Sequence, residues 1–458
     1  MTGAKIRTEG ALGQRPTLIA TGWLLACLAL GGASNGGVPG NLCLQIVAAL
    51  VVGWAIARRN GVVGAPGERV LLLLLGGLTM WIALTLVPLP PAVWSALPGR
   101  GFVAQGYRLM GMDLPWLPIS LTDDRTVRSS LALLVPVASY LLMRKLDAAG
   151  LKRLAQIVIA FACVSVALGM AQLLGGDGSP LRPYAITNRN DPVGLFANAN
   201  HFATFLLVCI PLAGAISGSG RSGGKMSRNA RLQRYFGYGA IAICALGLVL
   251  IGSNAGRLLL IPALAGALLL GPGRKLMEYR GFGLVFGLGI AATAAVMVLS
   301  VTSGFMADKV GASATSRTLI SGTTLASARE FLPAGSGLGS FPAIYLMKSG
   351  GQSSNRQWTN HAHDDPAEVL LELGLPGLVL MAGFALWLVR TTLRLWSEPS
   401  RGGQGSQLAQ AAALGAALIA LHSLVDYPLR TAAMAAILAL LLGCMIEPQR
   451  DSRAEAAA

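Results

Sequence analysis

Stretches of about 20 mostly apolar residues recur from one end of this chain to the other, and that recurrence restricts the fold more than any motif does. Such a run is what an α-helix needs to cross a bilayer core about 30 Å thick, because inside lipid every backbone N–H and C=O must be satisfied within the segment itself. Only 12% of the 458 residues are charged and 53% are apolar, whereas a soluble domain carries about 25% charged residues. The expected fold class is therefore all-α, a polytopic membrane helical bundle of about twelve spans. They fall near residues 17–34, 41–57, 69–88, 127–143, 152–174, 201–217, 236–252, 257–271, 282–301, 366–388, 408–424 and 429–446. A single transmembrane domain covers 1–458, and the segment 302–365 is inserted between the ninth and tenth spans. That segment is too long for a simple connector. Its stretch Arg317–Leu332 places Leu319, Leu325 and Phe331 among polar residues at helical spacing, so one or two amphipathic helices lying over the bundle are expected.

A formal charge of +16 raises the question of nucleic acid, but the placement of the basic residues argues against it. They cluster between apolar runs, at Arg58-Arg59, Arg144-Lys145 with Lys152-Arg153, Arg221 through Arg234, Arg274-Lys275 with Arg280, and Arg390 through Arg401. These are alternate loops, the pattern that marks the cytoplasmic side of a polytopic protein. Both termini then lie in the cytoplasm. The basic start (Lys5, Arg7, Arg15) followed by an apolar run has the outline of a signal peptide, but with so many spans following an uncleaved first helix is expected. The six cysteines show no C-x-x-C and no His at ligand spacing, so they read as small buried hydrophobes rather than a disulfide framework or zinc site.

In this orientation the segments 89–126, 175–200, 252–256, 302–365 and 422–428 lie on the outer face, and the residues able to do chemistry gather there. Trp94 and Trp116 are expected as interface anchors. The densest cluster is N-H-A-H-D-D-P-A-E-V-L-L-E-L-G-L-P-G over 360–377, which holds His361 and His363, two of the chain's four histidines. A helix opening at Pro366 sets Glu368 and Glu372 one turn apart on one face. A histidine near neutral pKa beside carboxylates suits general-base work on a sugar hydroxyl. The alternative is a hydrated helix cap in which Asp364 or Asp365 satisfies the first turn. A metal site at His361, His363, Asp364 and Asp365 lacks a third distant ligand, and none is assigned.

Arginine supplies the opposite charge. Arg257 sits near the outer end of an apolar run, Arg317 opens the expected amphipathic helix and Arg329 lies near its end. Guanidinium forks match phosphate geometry, so an outer-leaflet diphosphate is an attractive partner, with snorkelling to headgroups as the alternative for Arg257. Asn198, Asn200 and His201 open the sixth span; asparagine can cap a helix or hydrogen-bond a sugar, and capping accounts for only one of the pair. Asp426 is expected as a structural partner for Arg430 or another outer-face arginine. The glycine cluster G-S-G-L-G-S-F at 335–341 lacks the strand-to-helix context of a P-loop, and a flexible turn is expected there.

These features together resemble the O-antigen ligase/polymerase superfamily, membrane glycosyltransferases that use glycans linked to polyprenyl diphosphate. The likeness rests on P-L-P-P-A-V-W at 88–94, G-L-F-A-N-A-N-H-F-A at 194–203, the arginine region at 252–257, S-R-T at 316–318 with G-S-G-L-G-S-F, and H-D-D-P-A-E-V-L-L-E-L-G-L-P-G at 363–377. The last is the most specific, because the family signature is a His followed by Glu-x-Gly-x-x-Gly on the next helix. Carried over residue by residue, the resemblance makes His363 the catalytic base. It assigns Arg257, Arg317 and Arg329 to the diphosphate, and Asn198, Asn200, His361, Asp364 and Glu372 to substrate binding or support. Two departures stand out in the last motif: Asp364 replaces the usual Asn, and Pro366 a common aromatic. In addition, the family arginine aligns with Asn254, one turn before Arg257.

The resemblance implies a GT-C-like bundle with a periplasmic loop in the active site, in the bacterial inner membrane. It implies inverting, metal-independent transfer without a cofactor, from undecaprenyl diphosphate to a saccharide acceptor such as lipid A-core. An O-antigen or exopolysaccharide polymerase using the same donor is the alternative. A polysaccharide or lipid transporter ranks third, since transporters place charges at the midplane and break helices in repeat-related positions.

Overall fold

The computed structural model describes residues 2–35, 37–58, 65–218, 226–273, 295, 312–349, 359–397 and 404–457. The expected span at 282–301, apart from residue 295, and residues 302–311 and 350–358 of the long outer segment lie outside the described residues. The apolar runs form helices α1 (Thr2–Leu30), α2 (Pro39–Ala57), α3 (Pro66–Thr85), α8 (Ala148–Leu174), α9 (Ala199–Gly218), α10 (Arg228–Leu250), α11 (Asn254–Leu270), α14 (Asp365–Ser397), α15 (Gln404–His422) and α16 (Ala432–Ala457). Between them lie the short α4 (Pro91–Trp94) and α5 (Gly101–Leu109), the pair α6 (Asp123–Ala132) and α7 (Leu134–Met143), and α12 (Ala312–Phe331) with α13 (Phe341–Lys348). The α6–α7 junction has a local cause: Pro136 has no N–H to offer the carbonyl four residues earlier. Among the described residues no strand forms, and Leu89 and Leu117 make a single antiparallel bridge. Among the described residues, seven segments are long and apolar enough to cross a membrane, and four shorter apolar stretches (Arg15–Leu30, Asn254–Leu270, Ser406–His422 and Ala432–Ile446) accompany them.

The bundle is organised around α9, which is enclosed along its whole length by α8, α10, α11 and α15. Small residues make that enclosure possible. A side chain at Gly214 would meet the α11 backbone at Ala267, 2.6 Å away, and one at Gly237 of α10 would meet Ala213 of α9 at 2.7 Å. Lipid supplies no hydrophobic drive between helices, so close backbone approach and van der Waals packing hold them together.

One helix is broken inside the bundle. At Gly374 of α14 the backbone turns to φ 63°, ψ −154°, and two residues later Pro376 has no N–H for the Glu372 carbonyl. Carbonyls freed this way must find donors within the protein. The 335–341 loop provides them: Ser336 N and Ser336 Oγ both reach Leu371 O at 2.9 Å, and Gly337 N reaches Glu372 O at 2.8 Å. Trp81 Nε1 takes Leu373 O at 2.9 Å, and Leu375 N donates to Pro333 O at 2.9 Å. The glycine cluster is therefore a buried splint rather than the flexible turn the sequence suggests. Arg100, 1% exposed, locks the splint from behind: it donates to Gly335 O at 2.8 Å and to Ile119 O, and its guanidinium covers the Phe331 ring. Burial pulls its pKa down to about 10.

Two expectations change in the outer segments. Trp94 is buried and donates Nε1 to Pro115 O at 2.8 Å, so only Trp116 remains exposed as an interface anchor. On α12 the expected apolar face of Leu319, Leu325 and Phe331 is split. Phe331 points inward, but Leu319 and Leu325 are exposed, and the covered face carries Ile320, Ser321, Thr324, Ser327 and Ala328. Small and hydroxyl side chains let α12 lie close against α14, leaving the leucines outside.

Candidate active site

Five helix ends meet at one end of the bundle. Gly32 O, just past α1, accepts from Ala197 N ahead of α9 at 3.0 Å, and Gly31 O accepts from Ala433 N at the start of α16 at 3.0 Å. Asp365 N, opening α14, donates to Ser423 O after α15 at 3.0 Å. At this junction the turn from His422 runs through Asp426 and Tyr427 into the 3-10 helix Pro428–Arg430.

Asp426 is the hub. It is fully buried, with His363 Nδ1 at 3.3 Å and His201 Nε2 at 3.8 Å from Oδ1, and Arg317 Nη2 at 3.9 Å from Oδ2. Tyr427 N also donates to Oδ1 at 2.9 Å. Burial alone would push this carboxyl up, but His201, His363 and the charge on Arg317 outweigh it and hold the pKa well below the usual carboxylate range. The rings of His201, His361 and His363 all stand against the Tyr427 ring, with centroids 4.9, 4.4 and 4.7 Å away. Burial and the Asp426 charge raise the Tyr427 phenol above its ordinary value. The fourth histidine, His422, pairs Nδ1 with Thr204 Oγ1 of α9 at 2.8 Å. All four histidines thus converge on one buried carboxylate–tyrosine unit.

His363 itself is held in an uncommon backbone state, φ 53°, alone in the left-handed region among the described non-glycine residues. Such a conformation costs about 1–3 kcal/mol and persists only where neighbours over-determine it. Here Ala362 N on one side donates to Glu368 Oε2 at 2.7 Å. On the other, Asp364 caps α14 through Oδ1 to Ala367 N at 3.0 Å and accepts from Ser321 Oγ of α12 at 2.6 Å.

A second cluster backs the first. Arg430 lies 3.3 Å from Asp365 Oδ1, 3.3 Å from Glu368 Oε1 and 3.4 Å from Glu372 Oε2. His361 Nδ1 reaches Glu368 Oε1 at 2.8 Å, and Phe341 N from the splint reaches Glu372 Oε1 at 3.2 Å. Burial would lower the Arg430 pKa, but the three carboxylates outweigh that and raise it. The one-turn spacing read from Glu368 and Glu372 does bring both to a single partner. Arg430, however, does not pair with Asp426, which takes Arg317 instead; the turn between them points the two side chains to different neighbours.

The remaining sequence candidates divide. Asn198 caps α9, accepting from Asn200 N at 2.8 Å, while the Tyr427 hydroxyl donates to Asn360 Oδ1 at 3.4 Å. Asn200 follows on the first turn, its carbonyl accepting from Thr204 Oγ1 at 2.8 Å. Arg257 is exposed on the first turn of α11 and donates to Val249 O at 3.1 Å. Arg329 is exposed on the last turn of α12. His201, His422, Asp426 and Arg430 are absent from the residues the sequence assigns to the site, Asp426 being read there as structural, although H-S-L-V-D-Y-P-L-R put four ionisable side chains in one outer turn.

Helices long and apolar enough to cross a membrane, with a histidine–carboxylate–arginine centre where their ends meet, define a multi-pass membrane protein of enzyme-like construction. A family model described as O-antigen ligase matches residues 239–382. The match supports the O-antigen ligase/polymerase superfamily, and with it an enzyme of O-antigen or polysaccharide biosynthesis. The matched stretch holds Arg257, Arg317, Arg329, His361, His363 and Glu372, while Asn198, His201, His422, Asp426 and Arg430 lie outside it. No curated protein matches the chain.

Proposed function

We propose that this protein is an O-antigen ligase-like inverting glycosyltransferase that moves a glycan from undecaprenyl diphosphate to a saccharide acceptor, lipid A-core, at the periplasmic face of the inner membrane. The observation that carries the reading is the shared carboxylate: Asp426 holds His363 at 3.3 Å through one oxygen and faces Arg317 at 3.9 Å through the other. A base and a phosphate-seeking cation are thereby fixed side by side, and both keep partial access to the outside, with side chains 21% and 32% exposed.

Nδ1 of His363 faces Asp426 at 3.3 Å; in the proposed mechanism it carries the proton toward that carboxylate and Nε2 serves as the proton acceptor. The acceptor hydroxyl gives its proton to Nε2 while its oxygen forms a bond to the anomeric carbon. The bond from that carbon to the diphosphate oxygen breaks, and the electron pair departs with the diphosphate. Asp426 stabilises the resulting imidazolium, Arg317 the departing charge, and Arg257 and Arg329 the diphosphate or its approach. Asn198 and Asn200 supply amides near the acceptor side. The cluster of Arg430 with Asp365, Glu368 and Glu372 sets where the His361–His363 turn stands, and Asp364 ties that turn to α12. The 302–365 segment contributes both Arg317 and the histidine turn, which supports its place in the active site.

The basic loops support the orientation. Arg144, Lys145, Lys152 and Arg153 and the start of α10 lie at the end opposite the histidines, which by the positive-inside pattern is cytoplasmic. The seven long and four short apolar helices, with the run at 282–301, are in keeping with a twelve-span, GT-C-like bundle whose termini are both cytoplasmic.

The test is transfer by purified protein in liposomes given lipid-diphosphate glycan and either lipid A-core or free glycan. Discrete adducts on lipid A-core are expected; lengthening ladders that ignore lipid A-core would instead mark a polymerase. His363→Ala is expected to abolish transfer without loss of folded protein, and substantial residual turnover would remove His363 from the mechanism.

A further inference from the structure

At the end of the bundle opposite the histidines, a cleft of about 340 Å³ opens between the start of α8 and α10, lined by Ala148, Ala149, Lys152, Arg153, Gln156 and Gln233. We infer that this cleft binds the phosphate headgroup of an anionic glycerophospholipid, whose acyl chains run down the groove between α8 and α10. The inference owes nothing to the transferase reading.

The lining has the composition of an anion site. Two cations and two amides face the space, with no carboxylate among the six lining residues. Lys152 is oriented by Gln233, whose Oε1 accepts from Nζ at 3.1 Å. Ala148 and Ala149, which line the cleft, open α8, and a helix start carries unsatisfied N–H groups and partial positive charge. The nearby carboxylate of Asp147 is turned to its capping duty, accepting from Gly150 N at 2.8 Å.

The surroundings are basic as well. Arg144 and Lys145 precede the α8 start in the chain, and burial, then the charges of Arg58 and Arg144, lower the Lys145 pKa. Glu68, the buried carboxylate near them, is occupied by Arg144 at 2.8 Å.

What separates a lipid from a free phosphate is the wall beneath the cleft. Counting by turns along the same faces, Gln156 is followed on α8 by Ala160 and Val164, and Gln233 on α10 by Phe236. Val164 is 67% exposed and Phe236 37% exposed. A polar, cationic mouth above exposed apolar side chains on membrane-crossing helices fits a headgroup with its tails attached. Basic pockets between membrane helices on the side that carries the positive loops take anionic headgroups in this way.

The experiment uses the full chain in detergent. Dioctanoyl phosphatidylglycerol, dioctanoyl phosphatidylcholine and inorganic phosphate are titrated separately, with bound adducts followed by native mass spectrometry and by thermal shift. Phosphatidylglycerol is expected to bind at least 10-fold more tightly than phosphatidylcholine, and phosphate alone to give no shift. Each cation near an anionic headgroup is worth about 1 kcal/mol, so the double variant Lys152→Gln/Arg153→Gln is expected to weaken phosphatidylglycerol about 30-fold. The control pair Arg390→Gln/Arg394→Gln, on another helix, is expected to change it less than 3-fold. Gln156→Glu keeps both cations and adds a repelling charge to the lining; it is expected to weaken binding about 5-fold or more, and reports on the site even if the double variant fails to fold. Equal binding by the variants, equal affinity for phosphatidylcholine, or binding of inorganic phosphate as tight as that of phosphatidylglycerol would each overturn the proposal.

Discussion

Replacing Asp426 by Asn keeps the shape of the hub and removes its charge, so it isolates what that charge does for His363. The cost follows from the geometry. A unit charge pair at the observed 3.3 Å in a medium of effective dielectric near 20 is worth ~5 kcal/mol. His363 is partly exposed, and solvent screening reduces this to roughly 2.5–5 kcal/mol. Because His363 gains its positive charge only as the acceptor proton is taken up, that stabilisation belongs to the transition state and shows in the rate. At 1.36 kcal/mol per tenfold change, the expected loss lies between about 70-fold and about 5,000-fold. The assay is the initial rate of glycan transfer in liposomes, normalised to protein that elutes as a folded species and binds donor as the parent does. A folded Asp426→Asn protein that transfers within about 3-fold of the parent rate would refute the reasoning, since the carboxylate would then be a structural plug with no part in holding the base.

Four other outcomes follow from the same geometry. Gly374→Ala forces a side chain into φ 63° with its Cβ 2.1 Å from Pro333 O, and at least ~3 kcal/mol of stability is expected to be lost. Gly322→Ala, in open space on α12, is expected to leave stability unchanged or raise it by about 0.5–1 kcal/mol; thermal unfolding in detergent compares the two. Arg430→Met strands three buried carboxylates around an apolar side chain. A loss of ~3–5 kcal/mol is expected, read as a fall in folded yield and Tm, and a stable variant would show that the carboxylates are neutral without the arginine. Finally, Asp426 has a folded pKa depressed below its unfolded value, so its stabilisation is fully present above the unfolded pKa and disappears as pH falls through the folded one. The Tm gap between parent and Asp426→Asn is therefore expected to be no smaller at about pH 5 than at about pH 8 and to narrow only below about pH 4. A gap that closes between pH 7 and pH 5 would contradict this.

The amino-acid sequence alone determines the class of fold and one half of the site. Apolar runs of bilayer length leave a helical bundle as the solution, because lipid offers no partner to an exposed backbone. The one-turn spacing of Glu368 and Glu372 aims both carboxylates the same way, and His361, His363 and Asp364 sit at the helix start where capping and left-handed turns are made. All of this is local, fixed by neighbours within a turn or two. Long-range packing decided the rest. Whether Asp426 would meet Arg317 or Arg430 depends on which helix end lies beside which, and nothing within a few residues of either encodes that. The gathering of His201 and His422 with the 361–363 turn is of the same kind, since these residues come from three segments far apart in the chain. The glycine cluster at 335–341 reads as a loose turn until the carbonyls freed by Gly374 and Pro376 are placed against it. A backbone group buried in a membrane protein must be paired, and only the tertiary structure shows that these two weak stretches complete each other.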